Sequence, residues 1–275
     1  MTTLDRGMVA VVTGAAKGIG KCLAQAFANR GLHVVLADSD EIALRSTERE
    51  LAALGARVLG ASTDVSKLES VAALREATLK AFGRVDILCN NAGIYFDPTP
   101  IWTADISQWK RLIETNYWSV VFGIHEFVPH FVSQGFGHVV NTASMSGLTT
   151  VPGIANYGSA KHAVIAISET LRTDLDHAGH EAVGVTVLCP ALVRTQMGER
   201  ALGSHRANNP SVGSVASIQR GSGPNLAAII EPETVANLAI EGIEKNRLYV
   251  FPTPGSRERF DRRTALIAAA LDDYS

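Results

Sequence analysis

The feature that most constrains this chain is a regular alternation of short, continuously apolar runs with longer amphipathic ones. Residues 8–13 (Met-Val-Ala-Val-Val-Thr) predict a buried strand and 19–29 the helix after it; 33–37 and 41–54 repeat the pair. Further strands are predicted at 57–62, 85–89, 138–142, 183–188 and 248–251, with helices at 67–82, 107–133 and 156–177 between them. An apolar run without polar alternation buries both of its faces, as a strand does in a parallel sheet covered by helices. The pattern therefore predicts an α/β fold: a doubly wound parallel sheet of seven strands, helices on both faces, in a single domain over 1–275.

The rhythm fails in one place. From about 196 to 231 the chain is rich in Gly, Ser, Asn and Pro and shows little periodicity. Connections of this length in compact domains are usually functional or disordered. This one begins just past a strand end, where ligands bind in open α/β sheets, so a substrate lid is expected there. A C-terminal tail follows from about 253, amphipathic over 257–271.

Composition removes several classes of function. A net charge of −2 provides no electrostatic footing for nucleic acid or an anionic membrane. No apolar run approaches the roughly 20 residues that span a bilayer, and residues 1–8 hold no apolar stretch of signal-peptide length. Cys22, Cys89 and Cys189 stand far apart and match no metal-ligand spacing. Reduced thiols, no metal and a cytoplasmic location are the expectations.

Two turns carry chemistry. Thr13-Gly-Ala-Ala-Lys-Gly-Ile-Gly20 leaves the first strand and opens the first helix. Glycines there allow a tight turn and let backbone N–H groups approach a pyrophosphate at the positive end of the helix. Gly14, Lys17, Gly18, Ile19 and Gly20 are the candidate phosphate-side residues. The spacing fails as a nucleoside-triphosphate loop, with Ala15 and Cys22 at positions that need Gly and Ser or Thr. Asp38 ends the second strand 18 residues beyond Gly20, placed to accept hydrogen bonds from the adenosine ribose. A carboxylate there repels a 2′-phosphate, which favours NAD over NADP. Lys17 opposes this as a cation that could pair with that phosphate.

The second constellation is Tyr157-Gly-Ser-Ala-Lys161, with Ser144 13 residues upstream at a strand end. A spacing of four puts Tyr157 and Lys161 on one helix face. A tyrosine is a poor base at neutral pH, and a neighbouring ammonium lowers its pKa toward working range. With these residues in order, the sequence resembles the short-chain dehydrogenase/reductase family over nearly its whole length. The match runs through the glycine turn, Asp64-Val65, Asn90-Asn-Ala-Gly93, Asn116, Ser144, Tyr157-x-x-x-Lys161 and Pro190 to Thr195.

The resemblance implies a Rossmann-like fold and an NAD-dependent alcohol dehydrogenase or ketoreductase. It makes Tyr157 the acid/base and gives Lys161 the nicotinamide ribose and the tyrosine pKa. Ser144 would polarise the substrate oxygen, and Asn116 would anchor a relay water. Asp64 and Val65 would contact the adenine edge. Asn90, Asn91, Ala92 and Gly93 would line the adenosine ribose and support the central strand. Pro190, Val193 and Thr195 would hold the nicotinamide carboxamide. Ala191 and Ala143 depart from the commoner glycine and serine of the family. The ending resembles branches that act on bulky, apolar alcohols or ketones.

Ile94, Tyr95, Met145, Leu148, Ile154, Leu192 and Met197 are the candidate substrate wall, without an arginine among them. They predict a neutral, hydrophobic secondary alcohol or ketone. Wide apolar stripes on the helices at 107–133 and 156–177 predict a homodimer or homotetramer. A nonenzymatic NAD-binding regulator on the same fold is the alternative; its expected sign, a damaged Asn-Ser-Tyr-Lys set, is not seen.

Overall fold

The first strand, Val9–Thr13 (β1), shows why continuous apolar runs become central strands. Successive side chains of a strand point to opposite faces. Ala10 and Val12 enter one buried cluster, while Val9 and Val11 enter another across the sheet. The computed structural model describes residues 4–208 and 229–274. Its other strands are His33–Asp38 (β2), Val58–Ser62 (β3), Ile87–Asn90 (β4), Gly137–Thr142 (β5), Val183–Leu188 (β6) and Tyr249–Val250 (β7). They form one seven-stranded parallel sheet in the order β3-β2-β1-β4-β5-β6-β7.

Helices cover both faces. Gly18–Asn29 (α1) and Glu41–Ala53 (α2) pack on one, through Leu23, Phe27, Leu44 and Leu51. Leu68–Phe82 (α3), Ser119–Gln134 (α5) and Ala155–His177 (α6) cover the other, through Leu74, Phe127, Phe131 and Leu175. Strand order reverses direction between β1 and β4, so the connections at their carboxyl ends diverge and leave a crevice.

Three elements differ from the sequence expectation. The helix expected over 107–133 is Ile106–Ile113 (α4) and α5, joined by a π-type turn at Glu114–Trp118. The start of the expected lid is regular: Gln196–Asn208 (α7) is helical, opened by Thr195 Oγ1 accepting from the backbone N–H of Gly198 at 3.1 Å. The rest of the lid expectation, 209–228, lies outside the described residues. Pro232–Glu244 (α8) is a further helix packed on α1. Pro232 begins it, and its buried stripe is Val235, Ala236, Ala239, Ile240 and Ile243. The tail is helical over Ser256–Asp272 (α9).

A buried histidine predicts that this fold weakens in acid. His138 Nε2 lies 2.8 Å from the Thr186 hydroxyl, which donates to the Arg247 carbonyl at 2.8 Å. Nε2 therefore carries the proton, and Nδ1 is buried without a partner. Burial, with Arg172 adding to it, pushes the imidazole down to about 3. The unfolded chain binds a proton below the ordinary value near 6.5 and the folded chain only near 3, so folding weakens as pH falls through that window. His138→Gln can still donate to Thr186 but does not titrate. Its melting temperature should fall less than the parent's between pH 7 and pH 4; parallel falls would place the sensitivity elsewhere.

Candidate active site

The glycine turn is shaped by what a side chain would strike. A Cβ on Gly20 would stand 2.1 Å from the Gly14 carbonyl oxygen, and one on Gly14, which has φ +63°, 2.9 Å from the Ala92 Cα. Bare backbone is thereby brought to the crevice between β1 and β4. Thr13 ties the two strands together: its hydroxyl donates to the Cys89 carbonyl at 3.2 Å and accepts from the N–H groups of Asn91 and Ala92 at 2.9 and 3.1 Å.

At the end of β2, the Asp38 carboxylate accepts from the N–H of Ala16 and of Asp40, both at 3.0 Å. A carboxylate has about four acceptor positions, so two remain toward the cavity. Lys17 also lines the cavity, with its charge paired. Its ammonium lies 2.6 Å from Asp40, which also caps α2 by accepting from the Ala43 N–H.

The opposite end is built by β5 and α6. Tyr157 and Lys161 stand one helical turn apart, with the ammonium 5.7 Å from the phenol ring centre. Lys161 Nζ donates to the Thr142 carbonyl at 2.7 Å, and burial lowers its pKa to about 8. Burial raises the pKa of Tyr157, against a hydrogen bond from Ser144 that favours the phenolate. Ser144 Oγ also lies 3.3 Å from the Pro190 carbonyl. One hydroxyl proton cannot serve both, so the serine chooses between the proline carbonyl and an oxygen beside Tyr157. Tyr95 meets Tyr157 edge-on at 5.4 Å.

One cavity of about 690 Å3 joins the two ends, within the range of ligand pockets. Of the sequence-expected residues, Gly14, Lys17, Ile19, Asp38, Asp64 and Val65 face its first half, with Asn91, Ala92 and Gly93 on the floor. Ser144, Tyr157, Lys161, Pro190, Val193 and Thr195 face the second. The bare glycine turn, the open positions on Asp38 and a cavity that reaches from Asp38 to Lys161 fit a dinucleotide.

Four expected residues do not line the cavity. Gly18 and Gly20 lie behind its wall, shaping the turn. Asn90 points into the core. It donates to Asn141 Oδ1 at 2.9 Å and packs where Gly123 has no side chain, so it supports the strand and does not reach a ribose. Asn116 is buried at the π-type turn, a feature frequent at functional sites. Its amide accepts from the Ile94 N–H at 2.7 Å and donates to the Ile94 carbonyl at 2.9 Å. That uses one acceptor and one donor position of the amide and leaves one of each, so the expected anchoring of a water stays open to it. Thr195 faces the cavity while its hydroxyl caps α7.

On the expected substrate wall, Ile94, Tyr95, Met145, Ile154, Leu192 and Met197 face the cavity, whereas Leu148 packs into the core. Two arginines also line it, Arg111 and Arg259. The Ser66 hydroxyl holds the Asp64 carboxyl below its ordinary pKa and Arg111 adds to this, which puts Arg111 in the first half. α7 closes the second half and is tied to Asp97 by the Arg200 guanidinium, at 3.0 Å to each oxygen, and by the Ser204 hydroxyl at 2.7 Å. Among the described residues no helix is long and apolar enough to cross a membrane, and no cluster of three metal-ligating side chains occurs.

Comparison with known proteins agrees with this layout. A family model described as short chain dehydrogenase matches residues 8–204. A 1-deoxy-11-beta-hydroxypentalenate dehydrogenase of Streptomyces exfoliatus is 36% identical over 253 residues, 91% of this chain and 84% of the relative. A 3beta-hydroxysteroid dehydrogenase 2 of Eggerthella lenta is 35% identical over 193 residues, 70% of this chain and 73% of the relative. Among solved structures, a short chain dehydrogenase/reductase from Burkholderia phymatum in complex with NAD superposes with a TM-score of 0.84. It is 34% identical, and the alignment covers 98% of this chain and 97% of that one.

Proposed function

The chain belongs to the short-chain dehydrogenase family, and on that premise we propose that it transfers a hydride between NAD and a hydrophobic secondary alcohol or its ketone. The observation that carries this reading is one cavity with Asp38 at one end and Ser144, Tyr157 and Lys161 at the other. NAD, when bound, supplies the hydride acceptor for the alcohol carbon.

The remaining work is proton control and placement. Tyr157 removes the hydroxyl proton of the alcohol, or returns it to the ketone oxygen. Ser144 turns from the Pro190 carbonyl to hold that oxygen. Lys161, still mostly protonated at neutral pH with a pKa of about 8, supplies the positive charge that makes the phenolate accessible. Asn116 pins Ile94 at the head of the substrate wall, and the amide positions left over can anchor the relay water. α7, tied to Asp97, serves as the lid.

Asp38 with Lys17 supports NAD over NADP. The carboxylate faces the cavity, and the lysine that could balance a 2′-phosphate is paired with Asp40. The relatives named for a hydroxypentalenate and a hydroxysteroid, with the apolar wall, support a bulky hydrophobic substrate. A spectrophotometric screen of alicyclic and aromatic alcohols and ketones, each with NAD and with NADP, tests the reading. Turnover should be strongest with NAD, and Asp38→Ser should raise the NADP:NAD ratio of kcat/KM by about tenfold or more, as loss of a like-charge repulsion does. NAD binding without turnover across the screen would favour the nonenzymatic alternative.

A further inference from the structure

Arg259 is an ionic residue with no assigned task among the side chains that line the cavity. Its position follows from how α9 is anchored. The Ala191 N–H donates to the Thr253 hydroxyl at 3.1 Å, and Ser256 Oγ donates to the Thr253 carbonyl at 2.9 Å. Ala191 follows Pro190, whose carbonyl is the partner of Ser144 Oγ. The helix therefore starts against the turn that holds the serine, and Arg259 lies one turn inside it.

Topology separates this arginine from the adenosine end. α9 follows β7, at the opposite edge of the sheet from β3, whereas Asp38 and Asp64 belong to the β2–β3 side. Arg259 lines the same cavity as Ser144, Tyr157, Leu192 and Met197.

Among the described residues its charge is also uncompensated. On the same helix Arg257 pairs with Asp261 at 2.6 Å, and Arg262 with Glu258 at 3.0 Å. Arg259 has no acidic partner among the described residues. It is half-buried, and burial together with the charge of Arg262 holds its pKa below the ordinary arginine value. A partly desolvated cation facing a cavity is stabilised by an anion brought into that cavity. A planar guanidinium matches a carboxylate through two parallel hydrogen bonds.

We propose that Arg259 is a specificity-determining residue that binds the carboxylate of the substrate, making the preferred substrate a hydrophobic hydroxy acid or keto acid. The inference rests on the oxidoreductase reading above and replaces the expectation of a neutral substrate. The apolar wall takes the carbon skeleton, Ser144 and Tyr157 take the reacting oxygen, and Arg259 takes the far end.

The test compares alicyclic hydroxy acids with their methyl esters, using NAD, in the parent protein, Arg259→Met and Arg259→Lys. The parent should favour acid over ester in kcat/KM by about 10- to 100-fold, the worth of a charge-assisted hydrogen-bonded pair. Arg259→Met should lose that ratio, and Arg259→Lys should recover part of it. Equal use of acids and esters by the parent overturns the proposal. So does a ratio unmoved in Arg259→Met, and with weakened NADH binding that result would assign the arginine to the cofactor. Thermal-shift titration of the NADH-loaded protein with cyclohexanecarboxylate and its methyl ester supplies a readout without turnover. Stabilisation by the acid alone, lost in Arg259→Met, supports the arginine site even if the screen finds no oxidoreductase activity. Stabilisation by neither or by both rejects it.

Discussion

Replacing Tyr157 with Phe should lower turnover by about a thousandfold, roughly 4 kcal/mol of barrier, while NADH still binds. The substitution removes one oxygen and leaves the ring, its edge-on contact with Tyr95 and the 5.7 Å approach of the Lys161 ammonium in place. Loss of turnover with unchanged melting and cofactor affinity therefore isolates the proton step. The pH profile gives the same group a second signature. Burial raises the phenol's pKa in the free protein, so at neutral pH the acid form dominates. Alcohol oxidation needs the phenolate and should rise with pH through and above neutrality, whereas ketone reduction uses the phenol and should not rise. Near-normal turnover in Tyr157→Phe would falsify the assignment, and a flat oxidation profile would count against it.

The second large effect is at Gly20. In Gly20→Ala the new methyl would meet the Gly14 carbonyl oxygen at 2.1 Å and Asn91 Nδ2 at 2.6 Å, and the first of these is backbone that cannot rotate away. The turn must shift, and with it the N–H groups that would face a pyrophosphate. We expect NADH affinity to fall by about 100-fold, near 3 kcal/mol, together with a stability loss of about 1–3 kcal/mol from overpacking. Gly55→Ala is the control. Gly55 has φ +84° but nothing within 4 Å of its missing Cβ. Alanine there should cost only about 1 kcal/mol of backbone strain and leave fluorescence titration with NADH unchanged. If Gly20→Ala binds NADH like the control, the turn is not the phosphate site.

How much of this could be read in the sequence depended on whether the cause was local. A strand buried on both faces must be apolar throughout, so β1, β2, β5 and β6 were visible as runs. Tyr157 and Lys161 were visible because helical spacing alone puts them on one face. Of the two roles expected for Asn90, strand support is the one its contacts serve, while its neighbour Asn91 is the one turned toward the cavity. Which of two adjacent asparagines points inward is decided by Asn141 and by the missing side chain of Gly123, both distant in sequence. The break at Glu114–Trp118 carries no proline or glycine to announce it. α7 was hidden by polar composition, although Thr195 three residues before Gly198 is a capping signal. Arg259 lay beyond every motif, brought to the cavity by the Thr253–Ala191 hydrogen bond after the sheet was complete.

The division of labour among these elements bears on how such an enzyme diversifies. In the proposed reaction the reacting oxygen falls to β5 and α6, which are locked together inside the core by the chain from Asn90 through Asn141 to Ser168. The substrate's bulk and its far end would be met by segments outside that lock: residues 94–97, α7 and α9. Mutations in those outer segments can exchange one carbon skeleton for another without disturbing the proton chemistry. New substrate preferences are therefore reachable by single steps that each leave a working catalyst, and laboratory evolution aimed at them should accumulate changes there and spare α6.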